Sequence, residues 1–299
     1  MALERKNYTD VFPAELVPGL IDQTKGRSSL AKLSGQTPIA FNGQTYVTFS
    51  MDSEVNLVGE SGAKAAGEAS LASKTITPIK VEYGLRVSDE FMYASEERKL
   101  DILSHFAEGF AKKVARGLDL MAFHGVNPRT GTVSDLIGTN CFDKAVTNSV
   151  AYNAATDPDA LIESAILLVD EEYDITGMAM SRTLANALGQ MKTGTEYNTR
   201  LYPDFAFGGT PASFAGNTLD VNSTVNYGNT AHLYAGDFSS AFKWGYAKEI
   251  PMEVIPYGDP DNTGSDLKGH NQVYIRAEMY IGWGILVPSA FAKIAVASA

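Results

Sequence analysis

The sequence predicts an α+β fold. Three features carry that prediction: one long amphipathic helix, two long strands of strict alternation, and a middle region where helix and strand signals take turns. The chain has 299 residues. At roughly 100–200 residues per domain, it holds one large domain or two modest ones.

The helix is expected over residues 101–123. Leu103, Phe106, Phe110, Val114, Leu118 and Met121 recur at spacings of 3, 4, 4, 4 and 3. Spacing of that period keeps one apolar stripe on one face. At 1.5 Å per residue the helix is roughly 34 Å long. Ala107, Ala111 and Ala115 make a second stripe, small enough for another element to approach closely. Glu108, Lys112 and Arg116 line the outer face with acid before base, the favourable order at i, i+4. Gly125 is the natural stop.

The strands come next. Over residues 75–88, Ile79, Val81, Tyr83, Leu85 and Val87 point one way, and Lys80, Glu82, Gly84, Arg86 and Ser88 the other. At ~3.3 Å per residue this predicts a single strand of roughly 45 Å. A preceding strand shows the same rhythm over residues 45–50. Between them, residues 59–74 hold eleven Gly, Ala or Ser among sixteen positions. That composition predicts a long, light loop of the kind that is functional or ordered by a partner. A second long strand runs through Val273, Ile275, Ala277, Met279, Ile281, Trp283 and Ile285, preceded by an exposed loop at 258–270.

The middle, 146–250, alternates. Asp157-Pro158 starts a helix as N-cap and N1. Residues 177–180 read as a short buried strand, and Ser181 caps a helix through Leu184, Leu188 and Met191. A Gly/Pro/Asn-rich stretch follows over 194–229, then strands at 231–234 and 241–246. Residues 1–38 read as an arm. Pro13 and Pro18 break any long helix, leaving short helical pieces at 18–24 and 28–33.

Charge and composition exclude several function classes. Lys plus Arg is 24 and Asp plus Glu is 35, a net charge of −11. Wrapping nucleic acid or docking on an anionic membrane needs dense cationic surface instead. No apolar stretch is long enough to span a bilayer, and residues 1–13 carry no secretory h-region. Cys141 is the one cysteine, so no intrachain disulfide forms and a reducing compartment is expected.

No catalytic or cofactor signature appears. Gly59-Glu60-Ser61-Gly62 fails as a nucleophile elbow because position 63 is Ala, and no phosphate-binding glycine loop follows a strand. His105, His124, His232 and His270 show no metal-ligand spacing; ordinary core or surface histidines are expected. Asp259, Asp261 and Gly264 match positions 1, 3 and 6 of a calcium loop. Position 12 is His270 rather than the bidentate Glu, so a solvated turn is the expectation. Asp170-Glu171-Glu172 is expected at a helix end, either as a solvated face or as the seed of an ionic contact. Cys141 has no neighbour that would activate its thiol. Asn7 and Asn222 begin sequons without consequence in an unsecreted chain. Catalytic, cofactor-binding and metal residues are therefore none.

What stands out is geometric. An arm and a long light hairpin hide little surface within their own subunit, and make sense lying across neighbours. In that order the motifs resemble the tailed-phage major capsid proteins of the HK97-like fold. The resemblance rests on Leu16-Val17-Pro18 with Ser28-Ser29-Leu30, Gly59-Glu60-Ser61-Gly62-Ala63-Lys64, Val87-Ser88-Asp89-Glu90, Leu118-Asp119-Leu120-Met121-Ala122-Phe123-His124-Gly125 and Val287-Pro288-Ser289-Ala290-Phe291. It covers essentially the whole chain.

The resemblance implies an arm at 1–38, an extended E-loop hairpin at 39–80, a peripheral domain at 81–145 and 251–299 with the long spine helix, and an axial α/β domain at 146–250. It implies a shell subunit forming homo-pentamers and homo-hexamers around double-stranded DNA, without sequence-specific binding and without a membrane. Portal, scaffolding and decoration proteins are the implied partners, the virion the location, and host cytoplasm the place of assembly. The 258–270 loop is implied as an inter-capsomer contact. Some relatives carry a long scaffolding region before the arm; here the arm begins almost at Met1. Some crosslink a loop lysine to a neighbour's asparagine; Lys64 and Lys74 lie in that region, but no local motif maps the chemistry, and plain lysines are expected. An encapsulin-like nanocompartment of the same fold is the alternative, and a soluble α/β enzyme using the middle region the second.

Overall fold

The computed structural model describes residues 28–51, 55–64, 66–67, 69–93, 96–194, 198–248 and 252–296. The expected helical piece at 18–24 lies outside the described residues. In chain order the strands are β1 (Gln44–Met51), β2 (Ala69–Ile76), β3 (Ile79–Ser88), β4 (Ser149–Tyr152), β5 (Gly177–Met180), β6 (Lys192–Thr193) and β7 (Thr199–Arg200). They continue as β8 (Ser213–Phe214), β9 (Asn217–Val221), β10 (Ala231–Gly236), β11 (Phe242–Lys248), β12 (Met252–Ile255), β13 (Gln272–Ile285) and β14 (Phe291–Val296).

Two sheets organise the molecule. In the first, the long β13 is central, with β11 and β12 along one edge and β3 along the other, all antiparallel. The second is a mixed six-stranded sheet in the order β4-β14-β10-β5-β9-β8. β1 and β2 form a separate antiparallel ribbon, and β6 and β7 a very short one.

The long helix, Glu96–His124, packs on the first sheet. Its expected stripe, Leu103 through Met121, is buried, as are Ala107, Ala111 and Ala115. They meet Val273, Ile275, Ala277, Met279 and Ile281 in one core. Gly125 ends the helix at φ +68°, a conformation glycine adopts without a Cβ penalty. A second core lies on the six-stranded sheet. There the helices Pro158–Ile166 and Arg182–Gln190 bring Leu161, Ile162, Leu184 and Leu188 against Met178, Met180, Leu219 and Leu233. Ser181 caps the second helix, its Oγ accepting from Leu184 N at 3.2 Å.

Four expectations are corrected. The long helix starts at Glu96, a turn before the apolar stripe becomes visible, because residues 96–100 are strong helix formers without a period of their own. The expected single strand at 75–88 is two strands in different sheets. It breaks at Thr77-Pro78, where proline has no N–H for the ladder. The expected loop at 59–74 is strand in its second half: β2 begins at Ala69 and pairs along its whole length, from Gln44↔Ile76 to Met51↔Ala69. Its Ala and Ser residues have little strand propensity of their own; Val47 and Thr48 across the ribbon pair with Ser73 and Ala72, and Ser50 and Met51 with Ser70 and Ala69. Finally, the helix before Asp170-Glu171-Glu172 stops at Ile166, so these acids sit in a turn where Asp170 Oδ1 accepts from Glu172 N at 3.2 Å.

Sheet membership also crosses the expected segment boundaries. β11, from the middle region, belongs to the first sheet, and β14, from the C-terminal segment, pairs β4 and β10 in the second.

Candidate functional site

The β1–β2 ribbon is the most unusual surface. Val47, Phe49 and Leu71 share one face and are 62%, 60% and 72% exposed. Towards the tip, Val55 and Leu57 are each 97% exposed. A lone two-stranded ribbon is marginal in water, and a contiguous exposed apolar face marks an interaction site. The base of the ribbon is held firmly. Ile76 is 1% exposed and lies over Gly282 and Gly284 of β13. A Cβ on Gly284 would meet Ile76 Cγ1 at 2.8 Å, so glycine there is what lets the ribbon seat. Phe41 stacks edge-on against Tyr280 at 4.9 Å, and the Thr45 and Thr75 hydroxyls bond across the ribbon at 2.9 Å.

Residues 28–30 are anchored through a buried carboxylate. The helix Ser29–Leu33 is capped by Ser28, whose Oγ accepts from Ala31 N. Asp119, on the long helix, receives five donors. They are Ser28 Oγ at 2.5 Å, Ser29 N at 3.0 Å, Leu30 N at 3.3 Å, Thr224 Oγ1 at 2.8 Å and Asn222 Nδ2 at 3.3 Å. Burial pushes its pKa up to about 6, and these donors pull the other way. Lys32 and Ser29 add bonds to Asp220. Three distant segments thus converge on Asp119 and Asp220 around the helix Ser29–Leu33.

The loop 258–270 is fixed by Arg86 of β3. Its guanidinium bonds Asp259, Asp261, Thr263 Oγ1, the Ser265 carbonyl and Gln272. The Arg86 bonds hold the Asp261 carboxyl down at about 2. This loop is not the solvated turn the sequence suggests: its acids are engaged. Elsewhere, Leu167 and Leu168 are exposed beside the acidic turn, and exposed Phe207 sits at φ +55° with Arg200 stacked 4.7 Å from its ring.

The residues with catalytic potential are placed as follows. Ser61 is exposed in the ribbon's tip turn. Ser181 reaches His232 Nδ1 at 3.0 Å, but the pair is buried and the serine is a helix cap; burial lowers the His232 pKa. His124 lies 2.8 Å from both Asp143 Oδ2 and the Thr224 carbonyl, and Tyr234 donates to Asp143 Oδ1 at 2.5 Å. Burial works to raise the Asp143 pKa; the bonds from His124 and Tyr234 bring it below the ordinary value. His270 Nδ1 is 2.8 Å from the Asp266 carbonyl. Among the described residues no group of three or more His, Cys, Asp or Glu side chains could hold a metal ion, and no helix is long and apolar enough to cross a membrane. Cys141 is buried under Gly125, and burial pushes its thiol up. Asn222, the start of a sequon, donates to Asp119. Lys64 is exposed; Lys74 is half-buried, which lowers its pKa.

Sequence reasoning missed Asp119 and Arg86. Asp119 did leave a signal: it is a lone carboxylate inside the apolar run from Leu118 to Phe123, a position that demands buried donors.

A sequence profile described as the phage capsid family matches residues 9–296. No curated protein matches the chain. Among solved structures, one from Mycobacterium phage Ogopogo is 34% identical with a TM-score of 0.77, covering 91% of this chain and 92% of that one. One from Gordonia phage Cozz is 26% identical with a TM-score of 0.73, covering 91% and 87%. The capsid of an empty GTA particle shares the fold at 14% identity and a TM-score of 0.63, covering 91% of this chain and 90% of that one.

Proposed function

The chain belongs to the phage capsid family, and from that premise we propose how its surfaces build a shell. It is a major capsid protein, a structural component of the phage head shell with the HK97-like fold. In our reading the subunits close as pentamers and hexamers around double-stranded DNA. The ribbon at 39–80 serves as the E-loop and lies across a neighbouring subunit. The long helix with the sheet around β13 is the peripheral domain, and the six-stranded sheet with its two helices is the axial domain, where Leu167, Leu168 and Phe207 are available to further copies.

The observation that carries this reading is the exposed apolar face of the ribbon, Val47, Phe49 and Leu71 with Val55 and Leu57. No described residue of its own subunit covers it, and repeated heterologous contact closing on symmetry would. We read the chain as structural rather than catalytic, since its Ser–His pair is a buried cap. The net charge of −11 suits a container whose wall does not grip its contents. Portal, scaffolding and decoration proteins are further partners of such a shell, and host cytoplasm is where it would assemble.

Negative-stain microscopy of the purified protein tests the proposal. Closed shells of uniform diameter are expected. A stable monomer under all conditions would overturn it. DNA-filled heads with a tail-bearing vertex fit the phage reading, whereas small shells holding a protein cargo would contradict DNA enclosure.

A further inference from the structure

We propose that residues 258–270 form a calcium-type loop whose cation is built in: the guanidinium of Arg86, delivered from the neighbouring strand. A calcium loop of the helix–loop–helix type presents side-chain oxygens at positions 1, 3 and 5, a backbone carbonyl at 7, and glycine at 6. Here those positions are Asp259, Asp261, Thr263, Ser265 and Gly264. The structure shows that four of these residues supply oxygens that close on one atom. Arg86 Nη2 lies 2.7 Å from Asp259 Oδ1, 2.5 Å from Asp261 Oδ1, 2.6 Å from Thr263 Oγ1 and 2.9 Å from the Ser265 carbonyl. Gly264, the fifth, turns the chain at φ +82°.

The count of accepting oxygens distinguishes this cage from an ordinary ion pair. A guanidinium nitrogen such as Nη2 carries two protons, yet four oxygens surround it. Two of the distances, 2.5 and 2.6 Å, fall within the 2.3–2.6 Å typical of calcium–oxygen contacts, and two, 2.7 and 2.9 Å, lie beyond it. The rest of the side chain is used as well: Nε donates to Asp261 Oδ2 at 2.9 Å and Nη1 to Gln272 Oε1 at 3.3 Å. The loop's own backbone folds around the same acids, with Thr263 N and Gly264 N donating to Asp259 at 3.1 and 2.7 Å.

What the loop lacks explains why an arginine suffices. Position 12 is His270, tied by Nδ1 to the Asp266 carbonyl, so the bidentate carboxylate that completes a calcium site is absent. A free divalent ion would have to shed its water for fewer oxygens than the six to eight calcium takes, whereas the guanidinium is already tethered in place. Arg86 is held opposite Tyr274 in the β3–β13 register, so its positioning is part of folding rather than a separate binding event. The loop is therefore closed without metal and its shape is locked to the sheet edge. This holds whether or not the loop touches another subunit.

The test is the Arg86→Ala variant, with thermal unfolding followed in calcium, in magnesium and in chelator, and terbium luminescence as a direct probe. The wild type should be indifferent to calcium and should not sensitise terbium. Arg86→Ala should melt several degrees lower in chelator, regain most of that loss in calcium but little in magnesium, and bind terbium. Sparse-ligand loops suggest an affinity of about 0.1–1 mM for calcium. Adding Asp259→Asn and Asp261→Asn to Arg86→Ala should erase the response. If Arg86→Ala does not fold, Arg86→Gln reads the same response with the side-chain bulk kept. Arg86→Lys, with an ammonium in the cage, should stay calcium-indifferent. A neutral Arg86 variant unmoved by calcium would overturn the proposal, and so would a wild type stabilised by calcium as strongly as the variant.

Discussion

β2 and β3 are separated by only Thr77 and Pro78 and meet opposite fates. β3 lies along β13 and gives Ile79, Val81, Leu85 and Val87 to the core under the long helix. β2 pairs with β1 alone and, with it, leaves Val47, Phe49 and Leu71 in solvent. The two regions teach different things about apolar residues. In the first they hold one subunit together. In the second they contribute little to the subunit and are available to another copy. Mutations should separate the two roles.

The largest effect on the subunit should come from Trp283→Ala. Trp283 is buried and donates from Nε1 to the Asn140 carbonyl at 2.9 Å. Truncation leaves a cavity, and urea unfolding should register a loss of about 3–5 kcal/mol.

Next is the buried carboxylate that ties residues 28–30 to the long helix. Asp119 has a folded pKa of about 6, above the ordinary carboxyl value of 3.8. Its contribution is therefore full below about pH 4 and lost as pH rises through about 6. The swing is on the order of 2–3 kcal/mol. Urea midpoints should rise between pH 7.5 and pH 5 for the wild type relative to Asp119→Asn. The subtraction cancels His232, whose lowered pKa acts oppositely in the same window. Asp143, Asp237 and Asp261, all held low, act oppositely too, but below about pH 4. Equal pH slopes for the two proteins would remove Asp119 from the account.

A smaller loss, about 1–3 kcal/mol, is expected for Gly284→Val, which overpacks the seat of Ile76. It should also loosen the ribbon's base, visible as faster amide exchange in β1 and β2. The smallest stability effect belongs to the triple change Val47→Ser, Phe49→Ser and Leu71→Ser. Exposed sites usually shift stability by no more than about 0.5 kcal/mol, so the melting curve should barely move while assembly fails. A large loss of subunit stability there would break the contrast between the two regions.

Much of this architecture was legible from residue order. The stripe from Leu103 to Met121, the Ser181 cap and the alternation of β13 are local signals that packing then reinforces. The start of β2 was not legible, because Ala69, Ser70, Ala72 and Ser73 draw their strand character from partners on β1, not from propensity. Nor was the separation of β2 from β3 at Pro78, since alternation runs straight across it. The acid positions of the 258–270 loop were readable, but its occupant was not: Arg86 lies 173 residues from Asp259 and looks in sequence like any polar-face residue. The same distance problem hid Asp119, whose arm donors sit about 90 residues away.

The central claim is that the ribbon's surface serves other copies rather than its own subunit. Deleting residues 56–73 tests this most directly, with circular dichroism and light scattering read beside electron micrographs. The account predicts a folded subunit of native melting behaviour that forms no shells. Normal shells from the deletion, or a subunit that no longer folds, would contradict it.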